Sequence, residues 1–192
     1  MEGHAQLNDM FRLDAAASIG TWMFDGDAVG DYKSYGDEGT VTTTYEYALD
    51  GLYVGDMPQQ GLVLGGTVTP MPGLKVQALF NWFNRNFSDW SPGDREMSGG
   101  DADREQVWEA PSYSKLDIHA FYDIPSTFDL GGSTVTMKAF VHVFNALDDV
   151  FVQDAVDNSQ YNSWGGGSHD ADNAEVFLGH PQYFNAGIIF NF

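Results

Sequence analysis

Residues 183–192 read Tyr183-Phe184-Asn185-Ala186-Gly187-Ile188-Ile189-Phe190-Asn191-Phe192. Every second side chain in this stretch is apolar, and the side chains between them are mostly polar or small. Because successive side chains of a β-strand point to opposite faces, the pattern predicts a strand with one apolar and one mostly polar face. Ten residues are also about the length of a tilted strand that crosses a bilayer. The edge of a soluble β-sandwich would show the same alternation, so the rest of the chain must separate the two possibilities.

The composition of the chain narrows the classes of function. The 192 residues fit one domain, and the formal net charge of −20 argues against binding to nucleic acid or to anionic lipid headgroups. There is no cysteine, so the chain has neither a disulfide nor a thiolate site. No apolar run approaches the roughly 18 residues of a membrane-spanning helix, and the strands of a membrane barrel would leave no such run. Residues 1–8 lack the basic start and apolar core of a signal peptide, so we expect no export signal here.

Five more segments alternate with period two, and none shows a helical period. In residues 115–124, for example, Leu116 and Ile118 alternate with Lys115, Asp117 and His119. No charged side chain falls on the apolar face of any of these segments. The sequence therefore predicts six strands, at residues 11–24, 60–69, 74–85, 115–124, 134–144 and 183–192.

The connections between these strands alternate in length and differ in charge. Residues 25–59, 88–112 and 145–181 are long, whereas residues 70–73 and 125–133 are short. The three long segments hold 22 of the 28 acidic residues and 3 of the 8 basic ones. Short turns at one end and long loops at the other are typical of transmembrane β-barrels. A soluble sandwich also alternates along its strands, so loop length and charge partition favour the barrel. We therefore predict an all-β chain that forms an antiparallel segment of a transmembrane β-barrel.

Several short motifs carry a family resemblance. They are Tyr53-Val54-Gly55-Asp56-Met57-Pro58, Pro70-Met71-Pro72-Gly73-Leu74, Pro111-Ser112-Tyr113-Ser114-Lys115-Leu116-Asp117, Val143-Phe144-Asn145-Ala146-Leu147-Asp148-Asp149 and Phe177-Leu178-Gly179-His180-Pro181. In this order and spacing, ahead of the final strand, they resemble the C-terminal barrel portion of a TonB-dependent outer-membrane receptor of Bacteroidota-like bacteria. The resemblance covers nearly the whole chain from about residue 7.

The resemblance implies a fold and a function larger than this chain. Such receptors combine a signal peptide, a TonB-contacting segment, a plug domain and a barrel of about 22 strands. Residues 1–192 would supply about six of those strands, and single-chain bacterial barrels have at least about eight. We therefore expect the chain to be an incomplete part of a receptor for TonB-energised uptake of a scarce solute (siderophore, cobalamin, glycan or peptide) and not an enzyme. The expected location is the cell outer membrane, and the expected partners are membrane lipid, the remaining barrel and plug, the TonB system and the barrel-assembly machinery.

The resemblance also implies an orientation and assigns roles to residues. The long segments would be extracellular and the short connections periplasmic turns. The lipid-facing side would carry Leu116, Ile118, Val141 and Phe190, and the lumen-facing side Lys115, Asp117, His119, Lys138 and His142. The end of the chain resembles the signal that the barrel-assembly machinery recognises, with Gly187, Ile188, Phe190 and Phe192 as its residues.

The candidate ligand-binding residues are three tryptophans of the long segments. Trp90, Trp108 and Trp164 could stack on a sugar or another flat ligand, or pack within the loops or an interfacial aromatic belt. The run from Asp25 to Asp31 resembles the start of a calcium loop but lacks the required ligands at Val29 and Gly36, which leaves only loose calcium binding by the acidic loops.

Two further observations limit the function, and two alternatives to the receptor remain. His119 and His142 lack the sequence spacing of a metal site, so we interpret them as lumen-lining residues. No pairing of a nucleophile with a base can be argued, which is why no enzyme is predicted. The alternatives to the receptor are a soluble secreted β-sandwich that binds carbohydrate or calcium and, with no plug domain, a passive porin-type channel.

Overall fold

The computed structural model describes residues 1–36, 39–97, 102–159, 161–162 and 167–192. The described residues form fourteen β-strands and one short helix. The strands are β1 (Glu2–Gln6), β2 (Phe11–Ile19), β3 (Ala28–Gly36), β4 (Gly39–Tyr47), β5 (Gln60–Met71), β6 (Leu74–Asn84), β7 (Asn86–Phe87), β8 (Asp89–Trp90), β9 (Glu109–Ala110), β10 (Tyr113–Leu130), β11 (Ser133–Phe144), β12 (Val152–Asp157), β13 (Glu175–Leu178) and β14 (Tyr183–Asn191). The helix, α1, spans Pro92–Arg95. None of the helical residues in the described ranges forms a segment long and apolar enough to cross a membrane.

One open sheet of seven strands dominates the fold. Its strand order is β1-β2-β5-β6-β10-β11-β14, and every neighbouring pair is antiparallel. The prediction of an all-β chain with antiparallel strands is confirmed, and all six predicted strands belong to this sheet. The seventh strand, β1, was not predicted. None of the described sheets closes on itself, so β1 and β14 are free edges.

The register of the main sheet brings the apolar positions of all its strands onto one face. One row of directly opposed residues crosses six strands: Phe11, Val68, Val76, Ala120, Val141 and Ala186. The adjacent row on the other face crosses all seven strands: Gln6, Arg12, Thr67, Gln77, His119, His142 and Asn185. A slip of one residue in any pairing would place apolar and polar side chains on the same face. The observed register avoids this, and it therefore agrees with the alternation in the sequence.

The two short connections are tight turns made by glycine. Pro72 and Gly73 join β5 to β6, and Gly73 has a φ of +82°, as the third position of a type II turn requires. Gly131 and Gly132 join β10 to β11 with φ of +60° and +88°, the signature of a type I′ hairpin. The prediction of a nine-residue connection at 125–133 was therefore wrong, because β10 continues to Leu130 through a register shift between Ile124 and Phe128.

The hydrophobic core cluster lies outside the main sheet, although Val135 of β11 is also buried. The buried cluster consists of Leu49, Leu52, Phe87 and Val107, all from the long connections or their edges. The three long connections leave the same end of the sheet, and we call the described parts of residues 20–59, 85–112 and 145–182 the loop cap. The apolar face of the sheet is open by contrast, since Leu13, Leu64 and Ile188 are 50%, 46% and 54% exposed.

Candidate functional site

The loop cap is a folded unit built from all three long segments. Tyr47 and Trp90 pack against its core, with their ring centroids 5.4 Å apart. The ring of Tyr53 stacks on Phe87 at 4.0 Å, and Arg85 lies over both rings and donates a 2.8 Å hydrogen bond to the Tyr53 hydroxyl. Each of these contacts either lies within residues 85–112 of the loop cap or joins them to residues 20–59. These contacts hold the acidic loops in one arrangement.

A buried ion network joins the second segment to the third. Arg95 is 1% exposed, and its guanidinium donates to the backbone carbonyls of Glu105 at 2.7 Å and Asp103 at 3.1 Å. Its Nη2 lies 3.4 Å from Oδ2 of Asp157, which is also 1% exposed. The imidazole of His169 bridges the two carboxylates, with Nδ1 at Asp157 and Nε2 at 2.9 Å from Asp103.

Both ring nitrogens of His169 face carboxylate oxygens, and Nδ1 also lies 3.1 Å from Nη2 of Arg95. The two carboxylates favour the protonated imidazolium because it alone donates from both nitrogens, whereas the charge of Arg95 opposes it. Burial acts to lower the pKa of His169, but the hydrogen bonds to Asp157 and Asp103 outweigh it, so the pKa is raised. Burial raises the pKa of the Asp157 carboxyl despite its cationic neighbours. Burial acts in the same direction on Asp103, yet the backbone N–H of Glu105 and the side chain of His169 bring its pKa below the usual value. Protonation of His169 is therefore tied to the packing of the third segment on the second.

A second link joins the first segment to the second at the surface. The guanidinium of Arg104 donates to both carboxylate oxygens of Asp27, at 2.7 and 3.0 Å. Asp27 also accepts the backbone N–H groups of Leu49 and Asp50. The hydrogen bond from Arg104, supported by that from Asp50, holds the pKa of Asp27 well below its usual range. The carboxylate at the centre of the calcium-loop-like run is thus already used in holding the loop.

A carboxyl pair brings the first segment against the third. Asp56 has a φ of +59° and follows Gly55, whose missing side chain makes room for the backbone of Asp89. The hydrogen bond to Asp154, together with burial and the charges of Asp154 and Asp89, raises the pKa of Asp56 to about 6. The Asp56 carboxyl is therefore mostly protonated only below about pH 6, a common consequence of contact between two carboxyls.

A cleft opens where the loop cap meets the sheet. Tyr113 stacks on Phe151 with ring centroids 4.5 Å apart, and the Phe83 ring lies 5.2 Å from Tyr113 at an interplanar angle of 46°. The cleft has a volume of about 330 Å³, within the range of small-ligand sites. Its walls are Pro111, Ser112, Tyr113, Ser114, Asp149, Val150, Phe151, Val152 and Leu178. An aromatic platform beside backbone and carboxylate groups suits a ligand with one flat apolar face.

The polar face of the main sheet carries an aromatic track below the cap. Phe144 stacks on Tyr183 at 4.6 Å, and the rings of His119 and His142 follow toward the short turns. Phe121 comes next, 5.3 Å from His142. Farther along the same face, between β1, β2, β5 and β6, a depression of about 440 Å³ is lined by Gln6, Met10, Arg12, Asp14, Thr67, Thr69, Lys75 and Gln77.

The predicted ligand-binding tryptophans have different surroundings. Trp90 is half-buried against the cap core, where it contributes to packing. Trp108 is also half-buried, and its backbone carbonyl accepts hydrogen bonds from Ser88. Trp164 lies outside the described residues. Ligand contact by these three residues stays a prediction.

The residues of the predicted assembly signal lie on the edge strand β14 and just beyond it. Ile188, Phe190 and Phe192 are 54%, 49% and 79% exposed. Gly187 faces the other way, where a Cβ atom would come within 2.7 Å of the Phe140 ring. The exposed row is therefore available for recognition, and the signal itself stays a prediction.

The network around Arg95 and His169 was missed from the sequence. The one available signal was that Arg95 is among only three basic residues in the three acidic segments. Within the described ranges, no three His, Asp or Glu side chains come together as a set that could hold a metal ion. No protein-family model, curated protein or solved structure matches the chain.

Proposed function

We propose that this chain forms part of the wall and the external loops of a transmembrane β-barrel, and that the barrel belongs to an energy-coupled outer-membrane receptor. In this proposal the apolar face of the main sheet contacts lipid, and the polar face lines the lumen. The loop cap lies on the ligand side, outside the membrane. The solute would be a scarce siderophore, cobalamin, glycan or peptide, and the TonB system would drive its release inward.

The observation that carries the proposal is the continuous apolar face without a covering layer. The strands of the main sheet contact their neighbours in that sheet, and among the described residues no second sheet packs on them. No charged side chain occurs among the paired residues of the apolar face, although Leu13, Leu64 and Ile188 are about half exposed. A soluble sandwich buries such a face against a second sheet, because each exposed Å² of apolar surface costs roughly 25 cal/mol. Hydrocarbon removes that cost without any further protein layer.

The dimensions of the sheet support the same proposal. Strand β6 has 11 residues, about 36 Å when extended, which spans roughly 25 Å of membrane at a tilt near 45°. On the apolar face, Trp82 and Phe184 lie toward the loop end, while Phe11, Tyr122 and Phe190 lie toward the short turns. Phe80 is a further aromatic residue on this face, one row from Trp82 toward the short turns. Transmembrane barrels place aromatic girdles at both membrane interfaces, and the aromatic residues at the two ends of the face fit that distribution.

The opposite face supports a lumen. The seven-residue row through His119 and His142 contains no aliphatic side chain, and Lys115, Asp117 and Lys138 lie on the same face. Such groups would be expensive in hydrocarbon but are ordinary in a water-filled barrel. The two faces of the sheet therefore suit two different environments, hydrocarbon on the apolar face and water on the polar face.

The two free edges of the main sheet require further strands as partners. In hydrocarbon the unpaired backbone groups of β1 and β14 would cost several kcal/mol each, so further strands must pair with both edges. These would be the remaining strands of the receptor barrel, and its plug would occupy the lumen. The barrel-assembly machinery would recognise the row of Ile188, Phe190 and Phe192.

The decisive experiment uses a matched pair of isoleucines on β14. Ile188 and Ile189 are adjacent, 54% and 44% exposed, and on opposite faces. The chain has no cysteine, so Ile188→Cys and Ile189→Cys each give a single labelling site for an environment-sensitive dye. In outer membranes from cells that make the protein, we expect lipid-borne quenchers to act on the dye at 188 and water-soluble quenchers to act on the dye at 189.

Equal quenching at the two positions, or recovery of the protein as a soluble monomer, would contradict the membrane assignment and favour a secreted sandwich. Energy coupling is tested separately by uptake of labelled siderophore, cobalamin, glycan and peptide. Dissipation of the proton gradient of the inner membrane should abolish uptake by an energised receptor. Uptake that persists would instead identify a passive channel.

A further inference from the structure

The pairing of β10 with β11 places two histidines directly opposite each other on the polar face of the main sheet. The Nδ1 atoms of His119 and His142 are 2.8 Å apart, and the two rings meet at 68°. At this distance the two atoms share one proton or one other cation, because two N–H groups would repel. The sequence hid this pair, since 23 residues separate the two histidines.

The separation of the two nitrogens matches the bite of a metal ion. Ligand nitrogens about 2.0 Å from a metal lie about 2.8 Å apart at a right angle and about 3.3 Å apart at the tetrahedral angle. The observed 2.8 Å corresponds to adjacent corners of a square-planar centre. That geometry is the one preferred by copper(II) and nickel(II) with nitrogen ligands, and copper(II) binds most tightly in the divalent series.

The surroundings hold both rings in place. Phe144 lies 5.5 Å from His119, and Phe121 and Phe140 lie 5.3 and 5.1 Å from His142. The strand backbones fix the two Cα atoms, so little conformational entropy remains to be lost on chelation. These constraints hold the two nitrogens near the spacing that a chelated metal ion would require.

The groups next to the two histidines limit which other side chains could bind the same metal ion. Asp117 is on the same face, but one oxygen accepts the backbone N–H of Asn145 and the other pairs with Lys115 at 3.3 Å. Its carboxylate is therefore engaged, in agreement with the lack of any three-residue cluster in the described ranges. Gln77 and Asn185 flank the pair in the register, and their amide oxygens or water are the ligands available for the remaining positions.

We propose that His119 and His142 form a two-histidine site for a divalent late transition-metal ion, copper(II) foremost, on the polar face of the sheet. Both imidazoles bind through Nδ1 in the neutral form, with the proton of each ring on Nε2. In a neutral pair, the ring that carried the shared proton on Nδ1 loses it there and gains one on Nε2, so no net proton is released. The site depends on the pairing of β10 with β11 and is independent of the membrane assignment.

The test is electron paramagnetic resonance of copper(II) added to the folded protein in a His4→Gln background, which removes a competing histidine near the amino terminus. We expect one copper ion per chain with coupling to two imidazole nitrogens. His119→Gln and His142→Gln should each lower the affinity at least about tenfold and remove one nitrogen coupling. His180→Gln, on a loop residue outside the sheet, is the matched control and should change neither quantity.

Copper affinity that is unchanged in the His119→Gln and His142→Gln variants would overturn the proposal. If either variant fails to fold, the spectrum of the parent protein decides, because coupling to fewer than two imidazole nitrogens also overturns it. Calcium, which prefers oxygen ligands, should not displace copper at any concentration that leaves the fold intact. Displacement by calcium would place the copper in the acidic loops and contradict the assignment.

Discussion

Replacement of Arg95 by methionine should loosen the loop cap and leave the main sheet intact. The guanidinium is 1% exposed and donates to two backbone carbonyls, at 2.7 and 3.1 Å, and lies 3.4 Å from buried Asp157. Methionine fills most of the volume but offers no donor. The change leaves two carbonyls without this partner and a buried carboxylate with His169 as its remaining cation.

The expected loss can be estimated from these contacts. Removal of one partner from a buried ion pair typically costs about 3–5 kcal/mol, because the other charge remains buried. The two backbone carbonyl groups that lose their donor add to this loss of stability. At about 1.4 kcal/mol per factor of ten, protection of the cap amides from hydrogen exchange should fall between about a hundredfold and several thousandfold. Informative probes are the backbone N–H of Leu52, which bonds to the carbonyl of Leu49, and those of β12.

Arg104→Met is the matched control, since it removes the same group from the same segment. Arg104 and Asp27 are 47% and 30% exposed, and exposed ion pairs contribute little to stability. We therefore expect little change in cap protection from this variant and none in the amides between β6 and β10. Equal losses from Arg95→Met and Arg104→Met would refute the reasoning, because burial of the charge would then not determine the cost.

Three further outcomes are expected. Because the folded state holds the proton of His169 more tightly than the unfolded chain, cap stability should be fully present below about pH 6.5 and fall as the pH rises through the raised pKa. Limited proteolysis against pH measures this, and His169→Gln should flatten the upper part of the profile. Ile118→Arg should cost about 2–4 kcal/mol if that side chain faces hydrocarbon, whereas His119→Arg should cost about 1 kcal/mol or less. Denaturant titration in lipid compares the two variants, and equal costs would contradict the assignment of faces. Replacement of Phe190 and Phe192 by serine should reduce the heat-modifiable folded form in the outer membrane without reducing synthesis. An unchanged level of that form would show that the end of the chain is not an assembly signal.

Local alternation was enough to find six of the seven strands of the main sheet. In β10 the pattern around Ile118 and His119 assigned each side chain to the face where the structure places it. Strand ends were less accessible, because they depend on turns and tertiary contacts. Gly131 and Gly132 allow a type I′ turn, so β10 runs to Leu130 and not only to Ile124. Strand β1 has only five residues, too few for a persuasive alternation.

The candidate sites were much less predictable. Arg95 meets Asp157 across 62 positions of the chain and His169 across 74, and the His119–His142 pair spans 23. No periodicity links residues at such separations. Trp90 was a candidate for its residue type, but the residue type does not reveal that it packs against Tyr47. Composition identified the loops as acidic and left open that they fold around a small core.

The sequence by itself determined six strands of the main sheet, their two faces and the separation of acidic loops from uncharged apolar surface. The strands and faces follow from alternation between neighbours two residues apart, and the loops follow from local composition. Only the tertiary structure decided the register, the open edges of the sheet, the ion network of the cap and the contact between the two histidines. These depend on which strands and loops meet. That choice is made by the burial of Leu49 and Phe87, by the pairing of Arg95 with Asp157 and by hydrogen bonds between distant strands. These contacts join parts of the chain that are remote in sequence, so a local pattern does not encode them.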